Sequence, residues 1–161
     1  DLVELRRTGA IDALVFDLSG PLSELEGRGT TPETIDALAA GADLFVTNEV
    51  AARSYLDEDP AAAVRALRSA GAERVAVTAG AAGAYLSDGA AEPVHVPARE
   101  CDPVDTTGAG DQFTAALIHA WLVGDAGATA AGWIAATAAA RNCAAPGPRG
   151  ALATPAELPD Q

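Results

Sequence analysis

At Thr31-Pro32 and at Asp59-Pro60 a capping side chain is followed at once by a proline. Each pair opens a stretch of helical period that a glycine, Gly41 or Gly71, brings to a close. Proline suits the first turn of a helix, where its missing N–H is not needed, and the Thr or Asp before it can accept a bond from one of the unpaired amides. Ile35 and Leu38 fall on one face of the first stretch, and Ala63, Leu67 and Ala70 on one face of the second. Behind each stretch comes an apolar run too short for a helix, residues 44–47 and residues 74–78. Short unalternated apolar runs separated by helices call for a parallel sheet with helical crossovers, so the fold class is α/β.

The remaining segments extend that pattern. Residues 2–7 read as the tail of a helix stopped by Gly9, and residues 10–16 as a buried strand ending at Asp17. Residues 18–29, with Ser19, Gly20, Pro21, Gly27 and Gly29, read as a loop at the strand's carboxyl end, where ligands sit in open α/β sheets. Asn48 and Glu49 lead into a helix that reaches Leu56. Ala79-Gly80-Ala81-Ala82-Gly83 turns the chain into an antiparallel hairpin toward one edge, residues 84–86 and 93–96 around Ser87-Asp88-Gly89. Residues 97–103 connect onward, helices follow at 112–123 and at about 126–142, and residues 145–155, with four prolines and glycines in Pro146-Gly147-Pro148 and Gly150 before Pro155, form a loop.

The chemistry concentrates in Asp105-Thr106-Thr107-Gly108-Ala109-Gly110-Asp111, which runs straight into Gln112-Phe113-Thr114-Ala115-Ala116-Leu117. Two glycines separated by one alanine leave a turn with almost no side-chain bulk, so its amides can approach a ligand closely. Phe113, Ala116, Leu117 and Ala120 then recur at helical spacing, which puts the turn where a helix presents unpaired N–H groups and the positive end of its dipole. Such a place holds anions, phosphate above all. Asp111 inside it makes sense as a group that takes a proton from a hydroxyl about to attack phosphorus. A dinucleotide fingerprint fits less well, because the third glycine position is Phe113, with Thr114 after it.

The heptad entering an apolar helix resembles the C-terminal signature of the ribokinase-like (PfkB) family of carbohydrate and nucleoside kinases. The resemblance implies Asp111 as the catalytic base, with the amides of Gly108, Ala109 and Gly110 as an anion hole for the transferred phosphoryl group. It implies a three-layer sandwich with a mostly parallel sheet and an antiparallel edge hairpin, of which residues 1–161 are the C-terminal nucleotide-binding and catalytic part; the N-terminal substrate and lid part is absent. Thr78-Ala79-Gly80-Ala81-Ala82-Gly83 is similar to the turn that lies against the nucleotide in that family, which implies Thr78, Gly80 and Gly83 as nucleotide contacts, with Gly110. Asp43-Leu44-Phe45-Val46-Thr47-Asn48-Glu49 is similar to the strand whose Asn lies near the phosphates and the hydrated Mg²⁺, which implies Asn48. The family's Glu three residues later is Ala51 here, and the nearest carboxylate is Glu49. In potassium-dependent members a C-terminal loop joins the Asp and the third residue of the heptad around a monovalent cation; here these are Asp105 and the Thr107 carbonyl.

The function so implied is an ATP-dependent phosphotransferase acting on a hydroxyl of a sugar or sugar-like small molecule, with ATP and Mg²⁺ as cofactors and K⁺ as a further candidate. The other reading is a catalytically inactive nucleotide-binding module, or a fragment of such a kinase. A formal net charge of −13 argues against nucleic acid and anionic membranes as partners. It leaves nucleotides open, since backbone amides and cations hold phosphates without adding to that count. Cys101 and Cys143 make neither a disulfide framework nor a metal motif, and together with the absence of a signal-like opening they imply a reduced, cytoplasmic protein. A sheet lacking its N-terminal strands exposes an edge, which another segment or a homodimer would cover.

Overall fold

The computed structural model describes residues 1–89 and 92–158. Five strands form one sheet in the order β1-β2-β3-β4-β5, with β1 Val15–Leu18, β2 Leu44–Asn48, β3 Val75–Thr78, β4 Ala84–Ser87 and β5 Val94–Val96. The chain divides into two compact units, residues 1–79 with 85–94, and residues 80–84 with 95–161.

In the first unit β1, β2 and β3 are parallel, with Val15 opposite Leu44 and Phe45 opposite Val75. Leu44, Phe45, Val46 and Thr47 of β2 are all buried, as are Val75, Ala76 and Val77 of β3. Strands covered on both faces read as unbroken apolar runs, which is how they stood in the sequence. The crossovers are α3 Pro32–Gly41, then α4 Glu49–Leu56 and α5 Pro60–Ala70. Thr31 accepts from the Thr34 amide and Asp59 from the Ala62 amide, so both cap-proline pairs open helices as the pattern requires. Ile35, Ala39, Phe45, Val64, Leu67, Val75 and Val77 form the heart of the core.

Two expectations shift. The strand expected at residues 10–16 is β1 at Val15–Leu18, and α1 is Leu2–Arg7. Residues 8–11 curl back instead, the amides of Ala10 and Ile11 both bonding to the Leu5 carbonyl. What sets β1's start is Asp43: Arg6 donates to its two oxygens at 2.6 Å each, and the Leu14 amide donates to Oδ2 at 2.7 Å. The loop expected at 18–29 contains a short helix, α2 Leu22–Glu26, whose Leu22 and Leu25 lie against the core. Burial of those two leucines supplies what the glycine-rich flanks obscured in the sequence.

After β3 the chain turns at once. The five-residue link 79–83 is too short for a parallel crossover, so β4 runs antiparallel to β3 and the sheet is mixed. Of the expected hairpin's connection, residues 90–91 lie outside the described residues. The helix expected from residue 112 begins three residues earlier as α6 Ala109–Leu117 and continues in a wider π turn through Ile118–Val123. Helix α7, Ala128–Cys143, packs chiefly on α6. Trp121 is 1% exposed and belongs to this interior, whereas Trp133 is half-buried with the Arg99 guanidinium 4.4 Å over its ring. Residues 145–154 form no helix or strand, as expected.

Candidate active site

The glycine turn is held from below by the end of α7. The Cys143 carbonyl accepts from the amides of Val104 at 2.7 Å and Asp105 at 3.1 Å, which aims the connecting segment at the start of α6. Asp105 then folds over the turn: its Oδ1 accepts from the Thr107 amide and its Oδ2 from the Gly147 amide, both at 2.9 Å. The Thr107 hydroxyl and amide, with the Gly147 amide, hold this carboxyl below the usual carboxylate range.

Gly108 is the residue the geometry demands as glycine. Its φ is +81°, and a Cβ there would stand 2.6 Å from the Pro148 carbonyl oxygen. Gly110 differs, since a Cβ on it would meet nothing within 4 Å. Its surroundings are open in the direction a ligand would come from. The Ala109 amide donates to the Thr106 carbonyl at 3.2 Å, closing a four-residue turn, and the Gln112 amide makes the first helical bond to Gly108 at 3.0 Å. Among the described residues the amides of Gly108, Gly110 and Asp111 find no acceptor. Of the amides expected to form the hole, those of Gly108 and Gly110 are open and that of Ala109 is used in closing the turn, while the Asp111 amide is open as well.

Asp111 lies in the first turn of α6, exposed, and its carboxylate has no hydrogen bond or ion pair among the described residues. An uncommitted carboxylate and three uncommitted amides therefore meet at one helix start, where the dipole favours negative charge.

The other expected residues fall into two groups. In the first unit the sheet register sets Asn48 opposite Thr78, both at the carboxyl ends of parallel strands. Asn48 is occupied on both sides of its amide: Oδ1 caps α4 by accepting from the Ala51 amide at 2.8 Å, and Nδ2 donates to the Ser19 carbonyl at 3.1 Å. The Thr78 hydroxyl donates to the Thr47 carbonyl at 3.4 Å. Ala51, where the family pattern has Glu, is 1% exposed and part of the core, while Glu49 is exposed.

In the second unit the paired glycines Gly80 and Gly83 separate in role. Gly80 opens a short 3-10 turn, Gly80–Ala82, with open space where a side chain would stand. Gly83, with φ +95°, lies against the next strand, where a Cβ would come within 2.1 Å of the Val96 carbonyl oxygen. Its near side is filled by protein.

Sequence reasoning missed Asn142. It is fully buried in the last turn of α7, and its Nδ2 donates to the Thr107 carbonyl at 2.8 Å. Nothing in the spacing could reveal a bond between residues 35 apart. A recess of about 290 Å³ in the first unit, lined by Arg65, Arg68, Ser69 and Ser87 among others, contains none of the candidate catalytic, nucleotide-binding or cation residues. Among the described residues no three His, Cys, Asp or Glu side chains converge as a metal cage, and no helix is long and apolar enough to cross a membrane.

This combination of a mixed sheet, helical crossovers and a glycine turn at a helix start is the ribokinase-like α/β fold. The solved ribokinase of Thermotoga maritima is similar to this chain with a TM-score of 0.75 at 21% identity, over 97% of this chain and 50% of that one. The aminoimidazole riboside kinase of Salmonella enterica, solved with aminoimidazole riboside and an ATP analog, gives a TM-score of 0.76 at 25% identity, over 97% of this chain and 55% of that one. The pfkB family carbohydrate kinases match residues 11–155, and the chain belongs to that family. Among curated proteins it is similar to the bifunctional protein HldE of Rhodopseudomonas palustris, 38% identical over 117 residues, which cover 71% of this chain and 23% of that protein. The chain thus spans about half the length of the solved relatives and less than a quarter of HldE.

Proposed function

We propose that this chain carries the phosphoryl-transfer centre of an ATP-dependent kinase whose acceptor is a hydroxyl of a sugar or a sugar-like small molecule such as a nucleoside. The observation that carries the proposal is the exposed, unbonded Asp111 carboxylate beside the acceptor-free amides of Gly108, Gly110 and Asp111. Asp111 takes the proton from the attacking hydroxyl, which turns a poor nucleophile into an alkoxide-like one as the new P–O bond forms. The three amides receive the equatorial oxygens of the phosphoryl group, whose charge the positive end of α6 also favours. Ala109 contributes by closing the turn that points its neighbours outward. Mg²⁺ would supply charge neutralisation of the phosphates, held through waters and phosphate oxygens, which suits the lack of a carboxylate cage among the described residues.

In the first unit, we assign Asn48 and Thr78 to the nucleotide-facing end of β2 and β3. Asn48 acts there by fixing the start of α4 and the exit from β1 through its two bonds. In the second unit Gly80 gives the nucleotide room, and Gly83 shapes that turn by packing on Val96. ATP chemistry and two free cysteines, Cys101 and Cys143, suit the cytoplasm. β1 is the outer strand of the sheet, and we propose that a further strand, from the same protein or from a second copy, pairs with it.

One observation favours a second reading, a nucleotide-binding module without turnover. Ala51 is buried where the family pattern has a carboxylate, so no side chain of Asp or Glu can reach the phosphates from that position. The two readings separate when ATP consumption is measured with pentoses, hexoses and nucleosides, using the longest natural chain that carries this segment, with Asp111→Asn in parallel. We expect turnover with at least one acceptor and a loss of about 10²-fold or more in Asp111→Asn, the scale of a general base. If Asp111→Asn keeps most of the parent rate, Asp111 is not the base. Nucleotide binding with no phosphorylated acceptor would support the second reading.

A further inference from the structure

The residues expected to hold a monovalent cation, Asp105 and the Thr107 carbonyl, are already engaged by N–H donors. A cation needs oxygen lone pairs facing one point. In this turn the Asp105 oxygens face the amides of Thr107 and Gly147, and the Thr107 carbonyl faces the Asn142 side-chain amide. A cation would have to share each of these three oxygens with an N–H donor that already supplies positive charge there.

Asn142 is the unusual member. It is fully buried, and its Oδ1 has no hydrogen-bond partner. Its orientation is nonetheless fixed by chemistry, because the opposite orientation would set two oxygens against each other at 2.8 Å. A buried amide that keeps an orphan oxygen is unfavourable, whereas Ala or Leu would carry no such burden. The one bond it makes is therefore what distinguishes it. That bond ties the residue just before the Gly108 cap to the end of α7. The Asp111 amide belongs to the first turn of α6, before the first helical bond, and has no acceptor there.

We infer that Asn142 is the positioning residue of the anion-binding turn: its amide does the work a bound monovalent cation would do on the Thr107 carbonyl and makes the turn independent of K⁺. The catalytic half of this statement rests on the kinase reading above; the cation half does not.

The test compares K⁺ with tetramethylammonium at equal ionic strength, in the longest natural chain, reading both the thermal midpoint and the steady-state rate. For the parent we expect the same midpoint in both salts and a kcat within about twofold. Asn142→Asp replaces the donor by an acceptor of the same size and adds an oxygen to the turn. It should lose tenfold or more in kcat in tetramethylammonium with the acceptor KM little changed, and K⁺ should restore part of that rate and raise its midpoint. Asn142→Ser, which keeps a short donor, should lie between. A parent whose midpoint or kcat rises several-fold or by several degrees with K⁺ overturns the inference, as does Asn142→Asp with parental kcat in both salts. If Asn142→Asp does not fold, the parent comparison still decides. If no acceptor is turned over at all, the kinase reading fails, and the parent midpoints in the two salts still decide the cation question.

Discussion

Replacing the two glycines of the signature by alanine, one at a time, should separate architecture from chemistry. At position 108 the new methyl meets two penalties. The backbone is left-handed at φ +81°, a conformation that disfavours any L side chain by about 1–2 kcal/mol. The methyl would also stand 2.6 Å from the Pro148 carbonyl oxygen and 2.9 Å from its Cα, both backbone atoms that no rotamer change can remove. Forcing that loop aside belongs with overpacking, about 1–3 kcal/mol. The sum for Gly108→Ala is about 2–5 kcal/mol, which at a urea slope of about 2 kcal/mol/M lowers the midpoint by about 1–2.5 M. At position 110 neither penalty applies, since the site is open and inside α6. Alanine is the better helix former by up to about 1 kcal/mol, so Gly110→Ala should unfold at the parental midpoint or slightly above it. Its methyl nevertheless enters the space proposed for the phosphoryl oxygens, and turnover should fall tenfold or more. Urea unfolding followed by tryptophan fluorescence, with ATP turnover on the same samples, reads both. Gly108→Ala unfolding at the parental midpoint would refute the packing reasoning; Gly110→Ala with parental turnover would refute the placement of the phosphoryl group.

Other substitutions test the frame. Leu67, 2% exposed in the core of the first unit, should cost about 2–5 kcal/mol when truncated in Leu67→Ala, seen as an earlier denaturation midpoint. Asp59→Ala removes the oxygen that the Ala62 amide donates to and should cost about 1 kcal/mol by the same measurement, with turnover unchanged. The Asp43 carboxyl is held below its ordinary range, first by the Arg6 guanidinium and also by the Leu14 amide, against the opposing effect of burial. A depressed folded-state value stabilises the fold above the unfolded-state value of about 4, and that contribution disappears as pH falls through the folded-state value. Asp43→Asn should therefore unfold earlier than the parent at pH 7, and the gap should narrow steadily in titrations below about pH 4; a gap of constant size would show that the charge is not the cause.

Much of the fold was legible because its signals are local. Thr31 and Asp59 cap their helices through bonds that span three residues, and the runs ending at Thr47 and Thr78 are buried strands because unbroken apolar sequence has few other uses in a parallel sheet. Helix α2 was less legible, since two leucines in a segment flanked by glycines carry too little periodicity until the core shows what they cover. The start of β1 was missed for a different reason. It depends on Asp43 gripping Arg6 and Leu14 from 37 and 29 residues away.

The site divides along the same line. By itself the sequence determined that a glycine turn with Asp111 stands at a helix start, because turn chemistry and helical period act over a few neighbouring residues. Only the tertiary structure decided which amides remain open and which are used, that Gly83 serves packing while Gly80 faces open space, and that Asn142 and Gly147 hold Thr107 and Asp105 across 35 and 42 residues. A hydrogen bond is set by where two groups meet in space, and that meeting is fixed by how α7 packs on α6 rather than by anything the chain spells out locally.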